Sequence, residues 1–359
     1  MYKIVTVVGA RPQFIKMSQV SKEIAKNNLQ EIIVHTDQHY DYEMNKIFFE
    51  QLNIPEPNYY LGVGSGSHGY QTGEMLKKVE QVLLKENPDL VLVYGDTNST
   101  LAGALAAAKL QIKIGHIEAG LRSFNKKMPE EINRVITDHI SDLLFAPTKT
   151  AVKNLHNEGL KNIHLTGDVM YDAFLHNIKV AERNSKILEE LELKPKEYLL
   201  ATIHRAENAD KKSLGSISDA FAESEELIVF PAHPGTLKYL KAYEIFDTLK
   251  KLDNVLLIKP VSYLDILVLE KNAKKILTDS GGIQKEAYFL KIPCITLRDR
   301  TEWIEIVDAG WNILVGADKE KISRAIREFE PKSHVYAHKF GDGKASEKIV
   351  KIMGTAIDK

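Results

Sequence analysis

Short apolar runs rich in β-branched residues recur along the first part of the chain, at residues 3–8, 31–36, 90–94, 113–117, 143–146 and 163–166. They are apolar nearly throughout rather than alternating, which is the pattern of strands covered on both faces. Helix-length segments such as 18–27 and the alanine-rich 99–110 lie between most of them, so the spacing predicts a parallel α/β sheet. After a polar helical stretch over 169–196 the pattern starts again, with runs at 198–202, 227–230, 255–258, 275–278, 294–297 and 312–315. This predicts two doubly wound Rossmann-like domains, 1–168 and 169–342, with a ligand held in the cleft between them. A helical tail over 343–359 is expected to pack back on the first domain. No repeat links the halves.

Composition narrows the class. A chain of 359 residues, 44% hydrophobic, can bury two ordinary cores. Lys plus Arg number 48 against 49 acidic residues, which gives no support to a nucleic-acid or membrane-surface partner. The single cysteine, Cys294, allows neither an internal disulfide nor a thiolate cage, and its apolar strand predicts a buried structural thiol. The N-terminus enters a strand directly and no apolar span reaches membrane length, so a cytoplasmic protein is expected.

In open parallel sheets chemistry collects beyond the carboxyl ends of the strands, and that rule sorts the motifs. Asp279-Ser280-Gly281-Gly282-Ile283-Gln284-Lys285-Glu286 follows an apolar strand and reads as a polar cap, a two-glycine turn and a helix. The free N–H groups and positive end of such a helix suit a diphosphate. Glu286 can turn back to accept hydrogen bonds from ribose hydroxyls. The alternative is an ordinary capped turn.

Gly9-Ala10-Arg11-Pro12-Gln13-Phe14-Ile15-Lys16 follows the first strand but is not a G-x-G-x-x-G loop, because Arg11 occupies the second glycine position. A nicotinamide cofactor is disfavoured. Arg11 and Lys16 could grip phosphate, or pair on the surface. Asp37-Gln38-His39-Tyr40-Asp41 could supply metal ligands, yet no partner ligand pair stands nearby and helix capping explains it equally. Asp96, Glu118 and Glu130 all fall at strand ends or in the following loops. They can converge as an acid and base set, or serve separately as caps and salt bridges. His204 stands in one loop with Arg205 and Glu207, whereas His233 precedes a proline. Six of nine arginines (11, 122, 134, 205, 298 and 300) lie in or beside these loops, where anions would sit.

Taken in order, residues 9–16, 95–100, 116–122, 129–134, 204–208 and 279–287 resemble the non-hydrolysing UDP-N-acetylglucosamine 2-epimerases over nearly the whole chain. The resemblance implies a GT-B architecture, a homodimer, a UDP-sugar substrate and no metal or other cofactor. It implies that Arg11, Lys16, His204, Ser280, Gly281, Gly282 and Glu286 hold UDP while Asp96, Glu118 and Glu130 serve the sugar. Asp96 and Glu130 are expected as the acid and base pair, Glu118 binds or polarises the sugar, and His204 acts on the departing diphosphate. The implied reaction eliminates UDP through 2-acetamidoglucal and adds it back, giving UDP-N-acetylmannosamine for surface polysaccharide. Gln38 and His39 resemble part of an activating second UDP-GlcNAc site in some bacterial members. Where those members carry Thr-Glu-Arg, this chain reads Thr301-Glu302-Trp303, and relatives acting on UDP-2,3-diacetamido-glucuronic acid are similar in this stretch. A GT-B glycosyltransferase and a non-catalytic nucleotide-sugar sensor are the alternatives.

Overall fold

A computed structural model describes residues 2–37, 54–331 and 339–357. The chain divides into two compact units, Met1–Leu175 with His338–Lys359, and His176–Ala337.

The first unit holds β1 (Lys3–Val8), β2 (Gln30–His35), β3 (Tyr59–Tyr60), β4 (Leu90–Tyr94), β5 (Lys113–Ile117), β6 (Leu143–Ala146) and β7 (Ile163–Leu165). They form one sheet in the order β3-β2-β1-β4-β5-β6-β7, with every pairing parallel. All five residues of β4 are buried, which is why these strands read as unbroken apolar runs. The strand β3 has only two residues, too few to leave a sequence pattern.

The helices that bear on the site are α1 (Arg11–Lys26), α2 (Asn98–Lys109), α3 (Pro129–Ile140) and α4 (Val169–Asn184). In α4 the helix stops short of the predicted 196. Ser185 takes the Ile187 N–H at 3.3 Å and gives its own proton to Asp265 at 2.6 Å, breaking the run.

The second unit holds β8 (Tyr198–Thr202), β9 (Leu227–Pro231), β10 (Val255–Ile258), β11 (Lys275–Thr278), β12 (Cys294–Thr296) and β13 (Asn312–Leu314), again all parallel, in the order β10-β9-β8-β11-β12-β13. Helix α5 (Tyr263–Asn272) precedes β11, and α6 (Gly281–Leu290) follows it. Cys294 is buried, as its setting predicts, and burial pushes its thiol up to about 12. The last helix, α7 (Ala345–Ile357), belongs to the first unit and packs on α1. Its first turn is tied down by Asp172, which accepts the N–H groups of Ala345 at 3.1 Å and Ser346 at 2.7 Å.

Both sheets reverse strand order at one place, between β1 and β4 in the first and between β8 and β11 in the second. Loops leaving neighbouring strands diverge there and open a crevice. The motifs that begin at Gly9, Gly95, His204 and Asp279 all leave these four strands.

Candidate active site

In the first unit the crevice is built on close approach. Gly9 leaves β1 with no room for a side chain, since a Cβ there would collide with the hydroxyls of Thr36 and Ser99, which hydrogen-bond to each other at 2.7 Å. Buried Gln13 then ties the β1 loop to β4. Its carbonyl oxygen accepts the N–H groups of Gly9 (2.8 Å) and Ala10 (3.0 Å), and its amide donates to the Tyr94 carbonyl at 2.8 Å. Arg11 is the first residue of α1 and Lys16 lies about one and a half turns further along.

Lys16 pairs with Glu118, the residue after β5. Glu118 has φ +74°, a left-handed conformation unusual for a side-chain-bearing residue. It is imposed by the end of β6, where the Phe145 carbonyl accepts the N–H groups of both Glu118 (3.2 Å) and Ala119 (3.1 Å). The pair nests against Gly95, where a Cβ would stand 3.1 Å from Glu118 Oε2 and 3.4 Å from Lys16 Nζ. Asp96 is the next residue, and its carboxylate is bound by Arg134 of α3.

Adjacent glutamates of α3 have separate duties. Glu131 is buried and committed, accepting the N–H groups of Ser123 and Phe124 at 2.9 Å each, the Ser123 hydroxyl at 2.8 Å and Arg134 at 2.9 Å. Glu130 is half-buried and lies four residues before Arg134. That spacing puts it on the helix face that reaches Asp96. Asn133 adds a second tether, donating to the Asp96 carbonyl at 3.0 Å. Asp96, Glu118 and Lys16 are thus gathered at the ends of β4 and β5, and Glu130 stands in the first turn of α3. Gln38 and His39 lie outside the described residues.

Beneath this cluster lies a network that sequence reading missed. His116 of β5 bridges Asp138 Oδ1 (2.7 Å) and the Gly95 carbonyl (2.8 Å). Asp138 Oδ2 accepts from Arg122 at 2.7 Å and from the Gly120 N–H at 3.1 Å. Arg122 completes its fork on Glu158, at 2.7 Å through both Nε and Nη2. Burial would raise the Asp138 carboxyl, but His116 and Arg122 outweigh it and hold it below its ordinary value.

In the second unit, Ser280 is the cap of α6, its hydroxyl accepting the Ile283 N–H at 3.4 Å. Gly281 and Gly282 supply the first two amides of the helix, which have no intrahelical acceptor. A Cβ at position 281 would run into the Glu302 carboxylate, which would have to swing aside, and would stand 3.3 Å from Trp303 Nε1. Trp303, in the position where an arginine was expected, is buried beneath the turn with the Lys285 ammonium 4.1 Å from its ring centroid. Glu286 is also buried, one oxygen accepting the Tyr263 hydroxyl at 2.7 Å.

Asp279 is fully buried and organises the neighbouring loop. It accepts the N–H groups of His204 (3.0 Å) and Arg205 (3.0 Å) and the Asn208 amide (3.0 Å), and lies 3.3 Å from His204 Nδ1. His204 keeps 39% of its side chain exposed. Desolvation lowers its pKa, Asp279 pulls the other way, and Arg205, His233 and Arg298 add to the lowering. His233 caps its own helix through Gly235 N–H, 3.2 Å away. A charged residue ending an apolar strand was the signal for Asp279.

The arginines divide differently from the expectation that they wait for anions. Arg122, Arg134 and Arg298 are each buried and bound to carboxylates of the protein itself, because a guanidinium removed from water needs a partner.

Asp279→Asn should preserve the strand but lower the His204 pKa further, since the anion that favours the imidazolium is gone. Histidine proton NMR across pH checks this. Stability linked to His204 is present above its ordinary value of 6.5 and falls as pH drops through the lowered one.

Two doubly wound domains with their motifs at both crevices define the GT-B class of α/β proteins. A sequence profile described as UDP-N-acetylglucosamine 2-epimerase matches residues 22–354, and the chain belongs to that family. It is 63% identical to a UDP-N-acetylglucosamine 2-epimerase homolog of Methanococcus maripaludis over 98% of this chain and 99% of the relative. The crystal structure of Methanocaldococcus jannaschii UDP-GlcNAc 2-epimerase in complex with UDP-GlcNAc and UDP superposes with a TM-score of 0.93 at 49% identity, covering 98% of this chain and 99% of that one. A UDP-2,3-diacetamido-2,3-dideoxy-D-glucuronate 2-epimerase of Pseudomonas aeruginosa is 48% identical over 98% of this chain and 99% of the relative.

Proposed function

We propose that this protein interconverts UDP-N-acetylglucosamine and UDP-N-acetylmannosamine by eliminating UDP and adding it back. The observation that carries the reading is the full-length likeness to an enzyme of that name crystallised with UDP-GlcNAc and UDP.

The chemistry explains the inventory of side chains. The hydrogen on carbon 2 is not beside a carbonyl carbon, so removing it alone would be too costly. Elimination solves this: the base takes that proton as the bond from carbon 1 to the diphosphate oxygen breaks, and 2-acetamidoglucal remains. Reprotonation at carbon 2 from the opposite face and return of UDP to carbon 1 complete the inversion.

Asp96 and Glu130 are assigned as the base and acid pair, and Glu118, held by Lys16, as the group that binds or polarises the sugar. Negative charge grows on the departing diphosphate. The amides of Gly281 and Gly282, the α6 dipole, the Ser280 cap, His204 and Arg11 are assigned to it, and Glu286 to the ribose.

A proton NMR time course of UDP-GlcNAc in deuterium oxide tests the reaction. Deuterium should enter carbon 2 of both nucleotide sugars. Free sugar without exchange would point to hydrolysis, sugar passed to an acceptor would point to a glycosyltransferase, and no turnover would point to a sensor.

A second substrate is favoured by two observations. The Pseudomonas relative is as similar to this chain as the solved methanogen enzyme is, and Trp303 replaces the family arginine. Comparing kcat/KM for UDP-GlcNAc and UDP-2,3-diacetamido-glucuronic acid decides between them.

A further inference from the structure

Helix α5 turns an apolar run, Leu267-Val268-Leu269, into the interior of the second unit and then sets a carboxyl group, Glu270, in the same layer with 0% exposure. A lone carboxylate in such a place would need donors, because burial without them costs more than a domain can spare. Among the described residues, no N–H or O–H group hydrogen-bonds to either oxygen of Glu270. The carboxyl group of Glu286, itself 2% exposed, reaches the same helix through the Tyr263 hydroxyl at 2.7 Å and is the charged group that acts on Glu270. Ionised carboxylates only accept, so two of them can bond only if one keeps its proton. Two adjacent charges in a dry site would also repel strongly.

We infer that Glu270 and Glu286 share a single proton, and that Glu270 is a positioning residue which holds the Glu286 carboxylate in place for the ribose of a bound nucleotide. The second half rests on the assignment of Glu286 made above.

The elements around the pair agree with one negative charge rather than two. Tyr263, about two helical turns before Glu270 on α5, donates to Glu286 Oε1 at 2.7 Å. Tyr198 of β8 is engaged elsewhere, donating to the Leu269 carbonyl at 2.6 Å. From α6, Lys285 places its ammonium over the Trp303 ring, 4.1 Å from the centroid. From β12, the Cys294 thiol lies 3.9 Å from Thr296 Oγ1, and from α4 the Asn177 side chain meets Tyr263. Burial first, and Glu286 second, push the Glu270 carboxyl well above its ordinary value. With Tyr263 and the proton on Glu270 both donating to it, the Glu286 carboxylate is held in one orientation.

Three measurements test this. Infrared difference spectra of free wild-type protein against Glu270→Gln at about pH 8, far above the ordinary glutamate range, should show the carbonyl stretch of a protonated carboxylic acid. Its absence would overturn the shared proton. A carboxyl with a raised folded pKa gives stability that is lost as pH rises above the unfolded value. Glu270→Gln has no such loss, so the ratio of wild-type to variant unfolding constants should grow by about tenfold per pH unit above the ordinary glutamate pKa. A ratio independent of pH would also overturn it.

For the positioning role, Glu270→Met removes the donor and should weaken UDP binding, measured by calorimetry, by about 5–20-fold and raise KM more than it lowers kcat. Glu270→Gln restores a donor and should bring affinity back to within about threefold of wild type. Unchanged affinity in Glu270→Met would overturn the role. The infrared result is read without nucleotide, so it stands apart from the ribose assignment. If Glu286→Ala bound UDP as tightly as wild type, that assignment and the positioning role would fall, while the shared proton would not.

Discussion

Replacing Asp96 by Asn, or Glu130 by Gln, should lower turnover of UDP-GlcNAc by about 10²–10⁴-fold, the usual worth of a positioned acid or base. Affinity for UDP should change by less than about threefold, because neither carboxylate is among the groups assigned to the diphosphate. Neither variant is expected to unfold. Asp96 is 30% exposed on its side chain, and Arg134 keeps Glu131 as a partner when the Asp96 charge is removed. The two variants should differ in one respect. If base and acid lie on opposite faces of the sugar ring, each should lose carbon 2 exchange from one epimer more severely than from the other. Deuterium uptake measured separately from UDP-GlcNAc and UDP-ManNAc reads this directly. Wild-type turnover in both variants would remove the acid and base assignment.

Asp138→Ala should be the most damaging single change in the first unit, costing about 3–5 kcal/mol, as removal of one partner from a buried ionic network does. The carboxylate satisfies His116 Nδ1, an Arg122 N–H and the Gly120 N–H at once, so its loss strands three buried donors. Turnover should fall as well. His116 holds the Gly95 carbonyl, Gly95 precedes Asp96, and Gly120 lies two residues after Glu118. The network therefore fixes both acid-bearing loops from below. Thermal unfolding at neutral pH measures the stability loss. Because the folded pKa of Asp138 is depressed, its contribution is present above the ordinary value of 3.8 and is lost as pH falls through the lower folded one. The wild type should show this acid loss and the variant should not.

The fold class was legible in the sequence because the central strands, such as β4 and β8, are runs of buried residues long enough to leave a pattern. Paired residues such as Tyr59 and Tyr60 carry none. The site loops were legible for a related reason: parallel strands send their chemistry beyond their carboxyl ends, so a strand boundary points to a loop. Asp96, Glu118, His204 and Ser280 were all singled out that way, and each stands within two residues of a strand's end.

What sequence could not decide was which of several equivalent side chains face solvent and which are consumed within the protein. Glu130 and Glu131 are identical neighbours, and only the fold of residues 123–124 commits the second of them. Arg122 and Arg134 look like anion ligands until Asp138, Glu158, Asp96 and Glu131 are seen to claim them. Glu270 is one of several polar residues on its helix, and nothing in the sequence couples it to Glu286, sixteen positions later. Periodicity is a local property and survives in the linear chain. The pairing of charges depends on distance through space, which only the packed sheets and helices set.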